Sequence, residues 1–422
     1  MTLVSLPYGK SELTLDLPDT YAVTILAPGQ ALAAPDPRQV VELALNNLLG
    51  TVTWERLQGA RSAAIAVNDN TRPVPHHHLL PPLLQRLEQL GLEPQAITFF
   101  IATGTHRVMS PSEYPSILPR EILARHPVVC HDGTDKSNLA YLGETSRGTP
   151  VWINKQYLAA DLRLVVGNVE PHQFMGFSGG VKSAVIGLAG PVTIHHNHAM
   201  MAEEGSRLGS YRKNPARQDV EEIGRLVGIP LALNAILNGE KQIAHAVAGE
   251  PQAVLEAAVP LVRQVYQVPV KEPFDLMIVS PGGHPKDINV YQAQKALGHA
   301  ALVSRPGGTI ILAAACPEGA GSQAYEQWVS EVPSHEAVLS RFRQEGFRIG
   351  PHKAFQIARD TLGRRVLWVT DMPAELTNRL LLERAETLPE AMETVTATSL
   401  SPDARIGVLP IANATIPEVA GH

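Results

Sequence analysis

Ser62-Ala-Ala-Ile-Ala-Val67, followed by Asn68-Asp-Asn-Thr-Arg-Pro73, decides the fold class. A short uncharged apolar run reads as a strand buried on both faces, and the polar stretch closed by a proline reads as a loop leaving its carboxyl end. The same step recurs: residues 96–102 run into Thr103-Gly-Thr-His-Arg107, 162–166 into Gly167-Asn-Val-Glu-Pro-His172, and 274–280 into Pro281-Gly-Gly-His-Pro-Lys-Asp287. Further strands at 231–237, 309–315 and 366–370 alternate with helical patterns at 40–49, 83–90, 215–227, 251–265, 290–302, 336–344 and 374–385. This rhythm predicts an α/β protein of two domains, with largely parallel sheets flanked by helices. The two prolines and Lys-Glu pair of 268–273 set the boundary near residue 270, giving an N-terminal domain 1–270 and a C-terminal domain 271–422. Ligands of open α/β sheets bind beyond the carboxyl ends of the strands, so the four loops are expected to converge on an interdomain cleft.

Composition narrows the function. A formal charge of -6, with no basic stripe, argues against nucleic acid or an anionic membrane as partner. No segment approaches the ~20 apolar residues of a membrane span, and the first residues carry no signal-peptide pattern, so a cytoplasmic protein is expected. Cys130 and Cys316 are the only cysteines, which leaves neither a disulfide framework nor a cysteine-based zinc site. An anionic substrate must be held by local cations, and a soft metal needs ligands other than thiolate.

The densest chemistry is Glu170-Pro-His-Gln-Phe-Met-Gly-Phe-Ser-Gly-Gly-Val-Lys-Ser183, running on to His195-His-Asn-His198. Ser178, Gly179, Gly180, Lys182 and Ser183 suggest a phosphate-binding loop. A Walker A motif is excluded, because Val181 stands where glycine must precede the lysine. His106 and His172 follow buried strands and suit acid–base work near neutral pH. Asp69 and Arg72 sit where a turn presents a guanidinium to a carboxylate. His195, His196 and His198 suggest metal binding, although one short segment aims only one or two of them at a common point. Lys295, in Tyr291-Gln-Ala-Gln-Lys295, lies on a helix that follows the Gly-rich loop.

Together, Thr-Arg-Pro, Gly-Thr-His-Arg, Glu-Pro-His with Ser-Gly-Gly-Val-Lys, the downstream Asn-His, and Pro-Lys-Asp with Tyr-Gln-Ala-Gln-Lys resemble the lactate racemase family, in order from about residue 65 to 300. The resemblance implies a racemase or epimerase of a small 2-hydroxy acid. It further implies a nickel-pincer nucleotide cofactor, pyridinium-3,5-bisthiocarboxylic acid mononucleotide with nickel, covalently bound to Lys182 and made by separate maturation enzymes. His198 then corresponds to the nickel ligand, and His106 and His172 to the catalytic pair. Arg72, Tyr291, Gln292 and Lys295, with Asp69, correspond to the substrate pocket. Proton-coupled hydride transfer through a 2-keto acid is the implied chemistry. His284 occupies a loop position where many relatives are expected to carry an aromatic residue, so the side-chain preference stays open. Two other classes remain at this stage: a hydroxy-acid oxidoreductase with a diffusible nicotinamide cofactor, for which no G-x-G-x-x-G follows a strand, and a non-catalytic nickel- or phosphate-binding protein.

Overall fold

The computed structural model describes every residue except 30, 399 and 420–422. The chain divides into two compact units: Gln30–Val265, and a second that joins Met1–Gly29 to the residues from Tyr266 onward. Each is an α/β layer structure.

In Gln30–Val265 a six-stranded sheet runs in the order Ile243–Gly249, Leu231–Leu237, Leu162–Asn168, Ala63–Asn68, Ile97–Ala102, Val128–Cys130. All neighbours are parallel except the edge strand Ile243–Gly249. Every residue of Ala63–Asn68 and Leu231–Leu237 is buried, which is why these strands read as unbroken apolar runs. Val67 lies in register with Ile101 and Val166, so the polar loops after the three central strands leave from the same edge. Ile65, Leu83, Phe99, Leu164 and Leu233 fill one core beneath them. The helix Pro215–Val227 shows how local chemistry sets its limits. Asn214 caps it by accepting from the Arg217 N–H at 3.1 Å, Pro215 supplies a preset φ, and Gly228 ends it in the left-handed region at φ 69°. Its inner face buries Val220, Ile223 and Val227. The helix expected at 83–90 instead spans His76–Gln89 and passes through Pro81 and Pro82, because Leu79 and Leu80 are buried with Leu83, Leu84 and Leu87.

The second unit holds a six-stranded, wholly parallel sheet in the order Glu383–Ala385, Arg365–Val369, Ser304–Ala313, Phe274–Val279, Arg405–Leu409, Ala22–Ile25. The first 29 residues therefore do not belong to a domain 1–270. Ala22–Ile25 is the edge strand beside Arg405–Leu409, and the hairpin Thr2–Tyr8/Ser11–Leu17 buries Val4, Leu6 and Leu17 against Leu276, Ile278 and Val408. Pairing with a strand nearly four hundred positions away leaves no local pattern to read. The helix expected over 374–385 stops at Arg379; Leu381 takes φ 59°, and Glu383–Ala385 joins the sheet. The helix expected over 290–302 is broken at Gln294 into Val290–Ala293 and Lys295–Ala301. The helix Pro351–Thr361, absent from the sequence reading, packs beside Lys295–Ala301. Among the described residues no helix is long and apolar enough to cross a membrane.

Candidate active site

The three central strand ends of Gln30–Val265 bring together most of the residues expected from sequence. Asp69, buried in the loop after Ala63–Asn68, lies 2.6 Å from Nδ1 of the more exposed His106, through Oδ2. Its Oδ1 accepts from the Thr71 hydroxyl at 2.6 Å. Burial opposes ionisation of Asp69, but the hydrogen bonds from His106 and Thr71 and the charges of His106 and Arg72 outweigh it and hold the carboxyl below its ordinary value. An ionised carboxylate only accepts, so His106 donates from Nδ1 and its Nε2 carries the lone pair in the neutral ring. Arg72 is exposed in the same turn.

His172 stands on the short hairpin Pro171–His172/Gly176–Phe177. Here the Met175 N–H donates to Nδ1 at 3.3 Å, which leaves Nε2 as the protonated nitrogen of a neutral ring. The two imidazoles are thus set in opposite tautomers. Phe174 touches both His172 and His198 edge-on, with ring centroids 4.9 Å and 5.0 Å away.

Lys182 opens the short helix Lys182–Val185 and is buried, at 9% exposure. Burial, then the charges of Arg72 and Arg217, bring its amine from 10.5 down to about 7, with Glu170 opposing. About half of such an amine is uncharged and nucleophilic at neutral pH. The loop before it makes its turn at Gly179 and Gly180, with φ 77° and 57°. A Cβ on Gly179 would sit 2.5 Å from Val169 Cγ2, and one on Gly180 would sit 2.7 Å from Leu255 Cδ1, so the glycines serve close packing. The phosphate-cradle reading of this loop meets a physical obstacle. The Gly180 N–H donates to Asn234 Oδ1 at 2.7 Å, the Ser178 N–H to the Glu170 carbonyl at 2.8 Å, and the Ser183 hydroxyl to Asn68 Oδ1 at 2.6 Å. These donors brace the lysine loop against the strand ends instead of facing outward. Asn234 and Arg217 were not singled out from sequence. A lone asparagine within Leu231-Ala-Leu-Asn-Ala-Ile-Leu237 was the available signal for the first. Arg217, 1% exposed, donates to the Phe177 and Gly179 carbonyls and to Glu221.

The histidine segment forms the helix Pro191–Ala199. His196 points to the Thr149 hydroxyl at 2.9 Å, and Thr149 and Asn197 both donate to the buried Asp219, which fixes this helix from its other side. His198 is on the side of Lys182. Burial, with the charges of Lys182, Arg72 and His195, brings its ring down to about 3, so it is neutral and in the form that ligates a metal. Among the described residues no group of three His, Cys, Asp or Glu side chains is placed to hold a metal ion. A neutral imidazole coupled to a lysine amine that is about half uncharged could complete the coordination of a metal carried on a group attached to the chain.

In the second unit, Tyr291, Gln292 and Lys295 are half-buried on consecutive helical turns after the carboxyl end of Phe274–Val279. Lys295 Nζ donates to Gln292 Oε1 at 2.7 Å. A cavity of about 570 Å³ lined by Gly307, His335, Thr361, Arg364, Trp368 and Glu383 opens at the opposite, amino-terminal edge of this sheet, and none of the residues expected from sequence lines it.

Comparison with known proteins agrees in both units. Residues 8–209 match the model of the lactate racemase N-terminal domain, and residues 270–416 that of the lactate racemase C-terminal domain. The lactate racemase of Thermoanaerobacterium thermosaccharolyticum is 30% identical over 97% of this chain and 98% of its own length. That of Lactiplantibacillus plantarum is 30% identical over 93% and 94%. The structure of the Thermoanaerobacterium thermosaccharolyticum lactate racemase apoprotein superposes with a TM-score of 0.90 at 29% identity, covering 99% of this chain and all of that one. A Thermotoga maritima protein shares the fold at a TM-score of 0.62 and 17% identity, over 93% of this chain and 100% of its own. With both halves matched in order and relatives aligned end to end, the chain belongs to the lactate racemase family and is an isomerase of the racemase class.

Proposed function

We propose that this enzyme racemises or epimerises a small 2-hydroxy acid, lactate or a close relative, with a nickel-pincer nucleotide tethered to Lys182 and His198 as the protein's ligand to nickel. The observation that carries the reading is Lys182: an enclosed amine brought down to about 7, electrostatically coupled to His198 and Arg72 at the strand ends. When bound, the nucleotide supplies a reversible acceptor of hydride, which avoids the dianion that proton abstraction from the α-carbon would create.

The chain's own residues handle the protons and the carboxylate. His106, its Nδ1–H held by Asp69, offers Nε2 as the base for the substrate hydroxyl, and the Asp69 charge stabilises the imidazolium that forms. His172, entering as imidazolium with its Nδ1 released from the Met175 N–H, returns a proton to the oxygen of the keto acid and is left neutral. For the opposite enantiomer His172 enters neutral as the base and His106 enters as the imidazolium. Arg72 pairs with the substrate carboxylate through its planar fork, and Tyr291, Gln292 and Lys295 are assigned to substrate on the family resemblance. Phe174, against both His172 and His198, keeps water from the space between them.

The test uses chain co-produced with the cofactor maturation enzymes, intact-protein mass spectrometry with peptide mapping, and a chiral assay over a panel of 2-hydroxy acids. A nucleotide-sized adduct on Lys182, lost with turnover in Lys182→Ala, is the expected result. Undiminished racemisation by protein with an unmodified Lys182 would overturn the mechanism.

A further inference from the structure

The second unit carries a lysine that neither the sequence motifs nor the proposed chemistry uses. Lys353, near the start of Pro351–Thr361, is 5% exposed. Its Nζ lies 4.7 Å from the centroid of the Tyr291 ring and donates to Gln356 Oε1 at 2.9 Å. Gln356 Oε1 also accepts from Gln294 at 3.4 Å. His352 meets the Tyr291 ring edge-on at 5.7 Å. Tyr291 is therefore gripped by two consecutive residues of one helix. Among the described residues no carboxylate lies within ion-pair distance of Lys353, and Asp360, the nearest compensating charge, is engaged by Arg359 at 2.7 Å.

We infer that Lys353 is a positioning residue for an anionic substrate, clamping Tyr291 against His352 and standing as a second amine behind Lys295. The inference rests on the proposed hydroxy-acid reading, which puts a carboxylate at Lys295. A buried amine without an anion is costly to charge. Burial, then Lys295 and Arg359, hold Lys353 well below the ordinary lysine value, with Asp360 opposing. Tyr291 and His352 flank the amine; of the helices packed on Pro351–Thr361, Lys295–Ala301 brings the charge of Lys295, Gln323–Ser330 carries Tyr325, and His335–Glu345 carries His335, which meets the far end at Thr361. A carboxylate arriving at Lys295 offsets the charge of that ammonium and favours the ammonium form of Lys353. Substrate binding is thereby linked to uptake of a proton, and the new charge strengthens the hold on both the carboxylate and the Tyr291 ring.

The experiment is calorimetry of the cofactor-loaded enzyme with glycolate, a 2-hydroxy acid without a stereocentre, at pH 8 in two buffers of different ionisation enthalpy. Lactate racemisation kinetics are measured alongside. Wild type takes up a proton with glycolate, at most one per site. Lys353→Met, a neutral side chain of similar shape, loses that uptake and raises KM for lactate roughly ten- to fifty-fold with a smaller change in kcat, the scale of one charge several ångströms away at an effective dielectric near 20. Lys353→Arg, permanently charged, recovers most of the KM without proton uptake. A folded Lys353→Met with unchanged KM and uptake overturns the inference. So does lost activity with uptake intact, which would mean packing alone. Wild type that takes up a Lys353-dependent proton but racemises nothing sinks the functional reading and leaves this one standing; wild type that binds no glycolate sinks both.

Discussion

The two α/β units present polar residues beyond the carboxyl ends of similar parallel sheets, yet they treat charge in opposite ways. In Gln30–Val265 the groups that frame the histidines and the lysine loop are matched, Asp69 with His106 and Thr71, Arg217 with Glu221, Asn68 and Asn234 with the loop, leaving Lys182 itself under the charges of Arg72 and Arg217. In the other unit Lys353 and Lys295 act on one another, and Asp360 is occupied by Arg359. Matched charge fixes tautomers and loop geometry before substrate arrives, as reacting groups require. Lys353, buried and with no carboxylate within ion-pair distance among the described residues, waits for an anion, as a recognition surface requires. On the proposed reading, proton transfer belongs to the first unit, and carboxylate recognition to Arg72 and to the lysines of the second.

The largest effects test that division directly. In cofactor-loaded enzyme, His106→Ala and His172→Ala each lower kcat/KM roughly 10²- to 10⁴-fold. The equilibrium constant of a racemisation is one, so each loss is equal in the two directions. Lys295→Met acts mainly on KM. If steady-state assays show it lowering kcat more than either histidine variant does, the division between chemistry and recognition fails.

The amine of Lys182 sharpens the first half. In apoprotein carrying ¹³C at the lysine Cε, its carbon titrates with a midpoint near 7, the value to which burial with Arg72 and Arg217 brings it from 10.5. The sign is that of a base made harder to charge: above the midpoint the amine is neutral and can be acylated, and below it that fraction falls about tenfold per pH unit. A midpoint at the ordinary lysine value would remove the physical case for Lys182 as the attachment point. A smaller effect is expected of Asp69→Asn, which lowers racemisation roughly 10- to 100-fold, as loss of an orienting partner does. The loss falls on kcat more than on KM, because the carboxylate orients the ring that takes the proton. An unchanged kcat would make Asp69 a turn cap and no more.

Much of the first unit was legible from sequence because its chemistry is local. Buried strands announced themselves as unbroken apolar runs, and the residues that meet at their ends lie in the short loops directly after them. What escaped depends on long-range pairing. Ala22–Ile25 joins a sheet through Arg405–Leu409, and no local pattern marks it as part of the second unit. Asn234 is hidden in an apolar strand and matters only because Gly180 packs against it. Lys353 resembles any helical lysine until the fold buries it under Tyr291. The glycine motif was readable as a tight turn, but not the direction its donors face, since that depends on Asn68 and Asn234 arriving from other strands.

The smallest effect separates packing from backbone conformation by a matched pair, one glycine from each unit. Gly179 has φ 77° and Gly307 has φ 75°, so alanine at either position meets the same left-handed penalty of roughly 1–2 kcal/mol. Their surroundings differ. A Cβ at Gly179 meets Val169 Cγ2 at 2.5 Å, Asn234 Oδ1 at 3.0 Å and the Asn168 carbonyl at 3.2 Å, whereas at Gly307 it meets nothing within 4 Å. Gly179→Ala therefore costs about 1–3 kcal/mol beyond Gly307→Ala, the usual scale of overpacking. Urea unfolding, followed by probes in each unit because two units need not unfold together, measures the difference. Equal costs would mean that the Lys182 loop yields where Val169 and Asn234 press on it. The matched, preset geometry assigned to this unit would then be looser than its hydrogen bonds imply.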